Sequence, residues 1–290
     1  MRSPAALVSL ILVVTAGAAA LPHSAVAQSD TMAPYLRDRG SGVPASIFGT
    51  YIGQHELLIY PFFEYARDHN REYNPSQFGL PLSADFRGKF HSTAEQIFIG
   101  YGVSDWLALE LEVAHISATL EKSPADPVTP SKITESGVTD FEAQIRARVR
   151  RESSRGPEVF AYGDVTFPSN KSKVLIGDKD WDFRPGFGVT KGFSWGTITG
   201  RITGEWNREE SRPILGELAL EYLRRVSPRA RLFLAIEGGE GGTPDEFDFV
   251  TGLQYRIGNR MLLKFDNSIG LQSKSPDWVP QFGVMFSFQK

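Results

Sequence analysis

Hydrophobic and polar residues alternate with period two through most of this chain, and clusters of Gly, Pro, Ser, Asn and Asp interrupt the alternation at short intervals. The block from Val138 to Arg150 is the clearest. Phe141, Ala143, Ile145, Ala147 and Val149 share one parity; Asp140, Glu142, Gln144, Arg146, Arg148 and Arg150 share the other. A helix would scatter these residues around its circumference, whereas a strand sorts them onto two faces. Residues 106–117, 196–206, 261–270 and 278–288 repeat the pattern. Weaker blocks at 56–66, 90–102, 158–168, 183–191, 215–225, 231–238 and 246–257 bring the prediction to twelve strands. Short connections at 102–105, 151–157, 192–196, 226–230 and 258–260 alternate with mostly longer ones at 67–89, 118–137, 169–182, 207–214, 239–245 and 271–277. That is the arrangement twelve antiparallel strands require when both ends of the sheet lie on one side.

A soluble β-sandwich alternates too, so the choice between water and membrane rests on other features. The polar parity carries charge at mid-strand, predicting a polar interior lined by Glu110, Glu112, Asp140, Glu142, Arg146, Arg148, Arg150, Arg201, Glu205, Glu217, Glu221, Lys264 and Asp266. All five tryptophans (Trp106, Trp181, Trp195, Trp206 and Trp278) fall within a few residues of a predicted strand end. Indole rings favour that level, where a membrane interface satisfies both the apolar body and the N–H. In hydrocarbon a sheet must close to pair its backbone, and an even strand count suits closure. The expected fold is all-β, a twelve-stranded antiparallel transmembrane β-barrel of the outer-membrane type over residues 54–290.

The remaining segments fit that address. Residues 1–27 read as a secretory signal: Arg2, an apolar stretch from Ala5 to Ala20, and the small-x-small pattern Ala25-Val26-Ala27. Residues 28–53 are polar with one mixed apolar patch, Ile47 to Ile52, and read as a periplasmic tether or a short plug. The last strand ends its apolar parity in Phe286-Ser287-Phe288, the end through which the barrel-assembly machinery of a Gram-negative cell is expected to take it. Outer-membrane lipid and a small-molecule solute are the other expected partners.

Composition removes several classes. With no cysteine there is no disulfide framework, thiolate site or catalytic Cys. A net charge of −3 offers no basic face for nucleic acid. The five histidines show no metal-ligand spacing, and neither a metal nor a cofactor is expected. Gly238 to Gly242 resembles a phosphate loop but joins two strands and opens no helix. Asp178, Asp180 and Asp182 read as a solvated acidic loop, with a divalent cation as the alternative.

The chain resembles the outer-membrane barrels of the meta-cleavage phenol-degradation type. The likeness is carried by Gly102-Val103-Ser104-Asp105-Trp106-Leu107-Ala108-Leu109-Glu110, Ser136-Gly137-Val138-Thr139-Asp140, Val165-Thr166-Phe167-Pro168 and Leu253-Gln254-Tyr255-Arg256-Ile257, and it spreads over about residues 95–290. The resemblance implies a place in the outer membrane and passage of small, often aromatic, compounds. The residues themselves leave three readings: a narrow polar conduit with Arg146, Arg148 and Arg150 attracting anions, a self-neutralising network in a structural barrel, or a lipid hydrolase. The last would use His115 and Ser117, which share one strand face, as do the His-x-Ser pairs of outer-membrane lipid hydrolases; those usually continue with Asn, where Ala118 stands here.

Overall fold

The computed structural model describes residues 36–40, 42–169, 172–177, 181–207, 212–239 and 246–289. The signal segment, and the acidic loop at 178–180, lie outside the described residues. Two short strands come first, β1 (Val43–Pro44) and β2 (Tyr51–Ile52). The wall follows as β3 (Glu56–Tyr73), β4 (Phe86–Gly102), β5 (Leu107–Glu121), β6 (Lys132–Val138), β7 (Phe141–Arg150), β8 (Glu158–Phe167) and β9 (Asp182–Phe193). It continues through β10 (Gly196–Asn207), β11 (Arg212–Arg225), β12 (Ala230–Gly238), β13 (Phe247–Ile257), β14 (Met261–Gly270) and β15 (Val279–Gln289).

Each wall strand pairs antiparallel with its neighbours, and β15 pairs with β3 from Gln281↔Glu64 to Gln289↔Glu56, so the sheet closes on itself. β6 and β7 both lie along β5 as one strand interrupted at Thr139-Asp140. There the Thr139 N–H donates to the Ala114 carbonyl at 2.7 Å and the Ala114 N–H donates to the Thr139 hydroxyl at 3.2 Å. Counting that pair once, the wall has twelve strands. The fold is a closed, twelve-stranded antiparallel barrel.

Two parities become two surfaces. Leu109, Ile145, Phe187, Leu220 and Phe265 are exposed on the outside, whereas Tyr60, Phe98, Phe160 and Phe233 are at most 1% exposed and point inward. Inward aromatic rings need room across the strand. Phe160 lies opposite Gly188 and Phe233 opposite Gly252, and a Cβ at either glycine would run into the ring. Such aromatic-over-glycine pairs pin register and bend the sheet.

The strands outrun the alternation at the long-loop end. β3, β4 and β5 have 18, 17 and 15 residues, beyond the 9–11 or so that cross a bilayer. The segments predicted as loops at 67–89 and 118–137 are therefore strand at both ends. Their outward residues include Arg67, Lys89, Glu121 and Lys132, which breaks the apolar pattern without breaking backbone pairing. A loop between these extensions is clipped in place by Asp126. Its carboxylate accepts from the Tyr73 hydroxyl at 2.7 Å and from the N–H groups of Val128 and Thr129 at 2.9 and 3.1 Å. Burial works to raise this carboxyl, but the hydrogen bonds from Thr129, Tyr73 and Val128 prevail and hold it below the usual carboxylate range.

Candidate functional site

The interior is charged and largely paired. Arg146 is 1% exposed; its Nε lies 3.3 Å from Glu110 and its guanidinium 4.7 Å over the Tyr162 ring. Arg148 pairs with Glu158 at 3.0 Å. Arg201 reaches Glu221 at 3.0 Å, Glu217 at 3.4 Å and Glu237 at 3.5 Å, a radial clasp across three strands. Lys264, fully buried, faces Asp266 at 3.7 Å. Glu112 lines a cavity of about 350 Å³ at the long-loop side, with Asp140, Glu142 and the loop residues Leu175 and Ile176. Asp140 also accepts from the Ser169 N–H, tying that loop to the β6–β7 break. Glu205 is partly exposed on β10.

Arg150 leaves this inward row. A bulge between Arg148 and Arg150 sets Arg150 opposite Val159 instead of the buried Glu158, and its side chain is exposed. An extra residue in one strand reverses the parity of the residues beyond it. The expected three-arginine ladder is therefore two residues, and both are neutralised by glutamates.

Residues 36–40 and 42–53 lie inside this ring. β1 and β2 pair as a hairpin, and Thr50 N–H donates to the Ile47 carbonyl at 3.0 Å to close its tip. The Phe48 ring stacks on Phe233 at 5.4 Å and its carbonyl accepts from Gln254 at 2.8 Å and Lys264 at 3.2 Å. Ser46 donates its N–H and hydroxyl to Glu110 at 3.1 and 2.6 Å. Arg148 donates to the Gly42 carbonyl, and Arg39 pairs with Glu152 and, at 3.3 Å, with Glu158. Val43, Ala45 and Ile52 pack with Leu58, Tyr60, Phe98 and Met285. At the entry, Asp38 accepts from the Arg225 N–H at 2.7 Å; burial nonetheless raises its carboxyl above the ordinary value. These contacts come from strands on every side of the barrel. Many are to backbone carbonyls or pair residues more than a hundred positions apart, so no local motif announces them.

The tryptophans stand at the rims. Trp106 and Trp195 are about half exposed at the short-turn end, where Trp195 stacks on Phe193 at 4.9 Å and Tyr222 at 5.8 Å. Trp181 and Trp278 are exposed at the long-loop end. Trp206 lies near the end of β10, opposite Pro213. His115 and Ser117 are both exposed on the outer wall. The Ser117 hydroxyl hydrogen-bonds Ser136 at 2.8 Å, and His115 sits opposite Glu95. The Ser117 hydroxyl is thus paired with Ser136. Among the described residues no cluster of three or more metal-ligating side chains is present.

No family model matches the sequence, and no curated protein matches it. Solved structures do. The chain is similar to the COG4313 outer membrane channel from Pseudomonas putida F1, with a TM-score of 0.55 and 15% identity over 85% of this chain and 100% of that one. The translocator domain of the autotransporter NalP from Neisseria meningitidis gives 0.48 at 13% identity, over 81% and 89%. The Pseudomonas putida toluene transporter TodX gives 0.37 at 9%, over 81% and 90%. At these identities the first likeness speaks for the fold, and the other two carry no argument. The chain has the outer-membrane type of β-barrel fold.

Proposed function

We propose that this protein is an outer-membrane barrel that passes or binds small molecules through a narrow lumen, with the hairpin of residues 36–53 acting as a short plug. The single observation that carries it is the hairpin's seating. It is held from all sides by noncovalent contacts, yet about 350 Å³ of cavity remains on its short-turn side and a similar volume at the long-loop side of the lumen. A polar interior around such spaces suits hydrophilic passage. The outward hydrophobic belt and rim tryptophans support insertion in outer-membrane lipid, and the Phe286-Ser287-Phe288 end supports handling by the barrel-assembly machinery. Membership of the meta-cleavage phenol-degradation type, and with it aromatic cargo, rests on the sequence resemblance. A fully plugged structural barrel is the second reading, favoured by the same hairpin contacts.

Planar-bilayer recording separates the two. Small, resolvable single-channel steps from the wild type, enlarged several-fold when residues 42–53 are deleted, are the expected result. A silent wild type that opens only on deletion would leave the structural reading standing.

A further inference from the structure

The hairpin and the barrel wall together enclose an arginine-rich chamber at the short-turn mouth. Its cavity of about 350 Å³ is lined by Arg37, Arg39, Arg225, Arg231, Arg256 and Arg260, and by one acid, Glu56. Not all of these charges are open to a ligand. Arg39 is matched by Glu152 and Glu158. Glu56 is engaged by the Gly53 N–H at 2.7 Å and by the Ser287 hydroxyl. Asp38 is the other carboxylate acting on this group, and it is buried against the Arg225 backbone. Five arginines thus face two carboxylates among the described residues.

Their placement concentrates the charge. Arg225 of β11 and Arg231 of β12 are direct cross-strand partners, a pairing that is unfavourable between like charges. Arg231 is also paired with Gln254 of β13, and Arg256 lies two residues on, on the same face. The three positions therefore form one basic row over three adjacent strands, and Arg225 donates to the Arg37 carbonyl at 3.0 Å, which sets Arg37 beside that row. Arg39 adds a buried Nε with no hydrogen-bond partner among the described residues. Guanidinium groups grip carboxylate and phosphate in two-pronged fashion, and several converging on a small chamber lose their mutual repulsion when an oxyanion enters. The volume is at the small end of ligand pockets.

We propose that this mouth is a binding site for a small oxyanion, a carboxylate or a phosphate, held by Arg231 and Arg256 of the wall with Arg37 of the N-terminal segment. The inference deepens the passage reading by naming the class of solute, and it rests on that reading for its role. Binding itself can be measured without conduction. The full barrel in detergent is titrated calorimetrically at low salt with pyrophosphate, with citrate and with chloride, alongside a variant carrying Arg231→Gln and Arg256→Gln. Boil-sensitive gel mobility confirms that the variant is folded. Binding of pyrophosphate, citrate or both, weakened about tenfold or more in the variant and not matched by chloride, is the expected result; the two arms tell phosphate from carboxylate. Equal binding by wild type and variant, or none by either, overturns the site. Bilayer recordings of the same proteins keep the two ideas apart: binding without conductance sinks passage and leaves the site, while conductance without binding does the reverse.

Discussion

At the residue scale, the inside of this barrel is a set of buried charges whose worth lies in pairing. Arg39 is the clearest case, since its side chain is 1% exposed and closes on Glu152 and Glu158. Glu152 keeps Lys191 and Glu158 keeps Arg148 when Arg39 is removed, so the loss falls on the segment that carries Arg39 and stays below the about 3–5 kcal/mol of a fully uncompensated buried charge. Arg39→Ala is expected to unseat residues 36–53 while the wall stays closed, because the twelve-strand ladder does not include them. Limited proteolysis of the folded barrel reads this directly: cleavage within the segment should be fast in the variant and slow in the wild type. Equal protection in both would mean the hairpin is held by Phe48 and its neighbours instead.

At the element scale, legibility in the sequence depends on the physics of each segment. Strands between lipid and a polar lumen must alternate, and β5, β7, β10 and β14 are readable for that reason. The outer extensions of β3 to β6 have no lipid on either face, so only backbone pairing marks them. Parity also misleads wherever the strand slips, which is why it points Arg150 inward. The hairpin is the least legible piece, because its tip is held by the carbonyl of Phe48. Those outer extensions make a prediction of their own through Asp126. Its folded carboxyl lies below its ordinary value of 3.8, so it stabilises the loop above that pH. The contribution declines as pH falls below it and vanishes at the lower folded value. Protection from hydrogen exchange in 122–131, corrected for the intrinsic rate at each pH, should be high at pH 7 and fall only in acid, and Asp126→Ala should show low protection at both pH values. A wild type already exchanging freely at pH 7 would remove the clip.

At the scale of the whole molecule, everything inside depends on closure between the first and last wall strands. An unclosed sheet would leave β3 and β15 with unpaired backbone in hydrocarbon, and would open the lumen and the hairpin sideways to lipid. The seam is short of covalent help, since the chain contains no cysteine. That same absence makes the seam testable. Phe63 and Phe282 are cross-strand partners on the outer face, 45% and 49% exposed, and facing Cβ atoms at such pairs lie about 4.5–5.5 Å apart, near the reach of a disulfide. Phe63→Cys combined with Phe282→Cys should therefore oxidise to an intramolecular bond in the folded protein, with either single variant as control. On boiling, the oxidised double variant should migrate as a covalent loop, faster than its reduced form, while both singles run as the unfolded wild type does. If the double variant gives only dimers or free thiols, the two strands do not meet in this register, and the closed lumen falls with them.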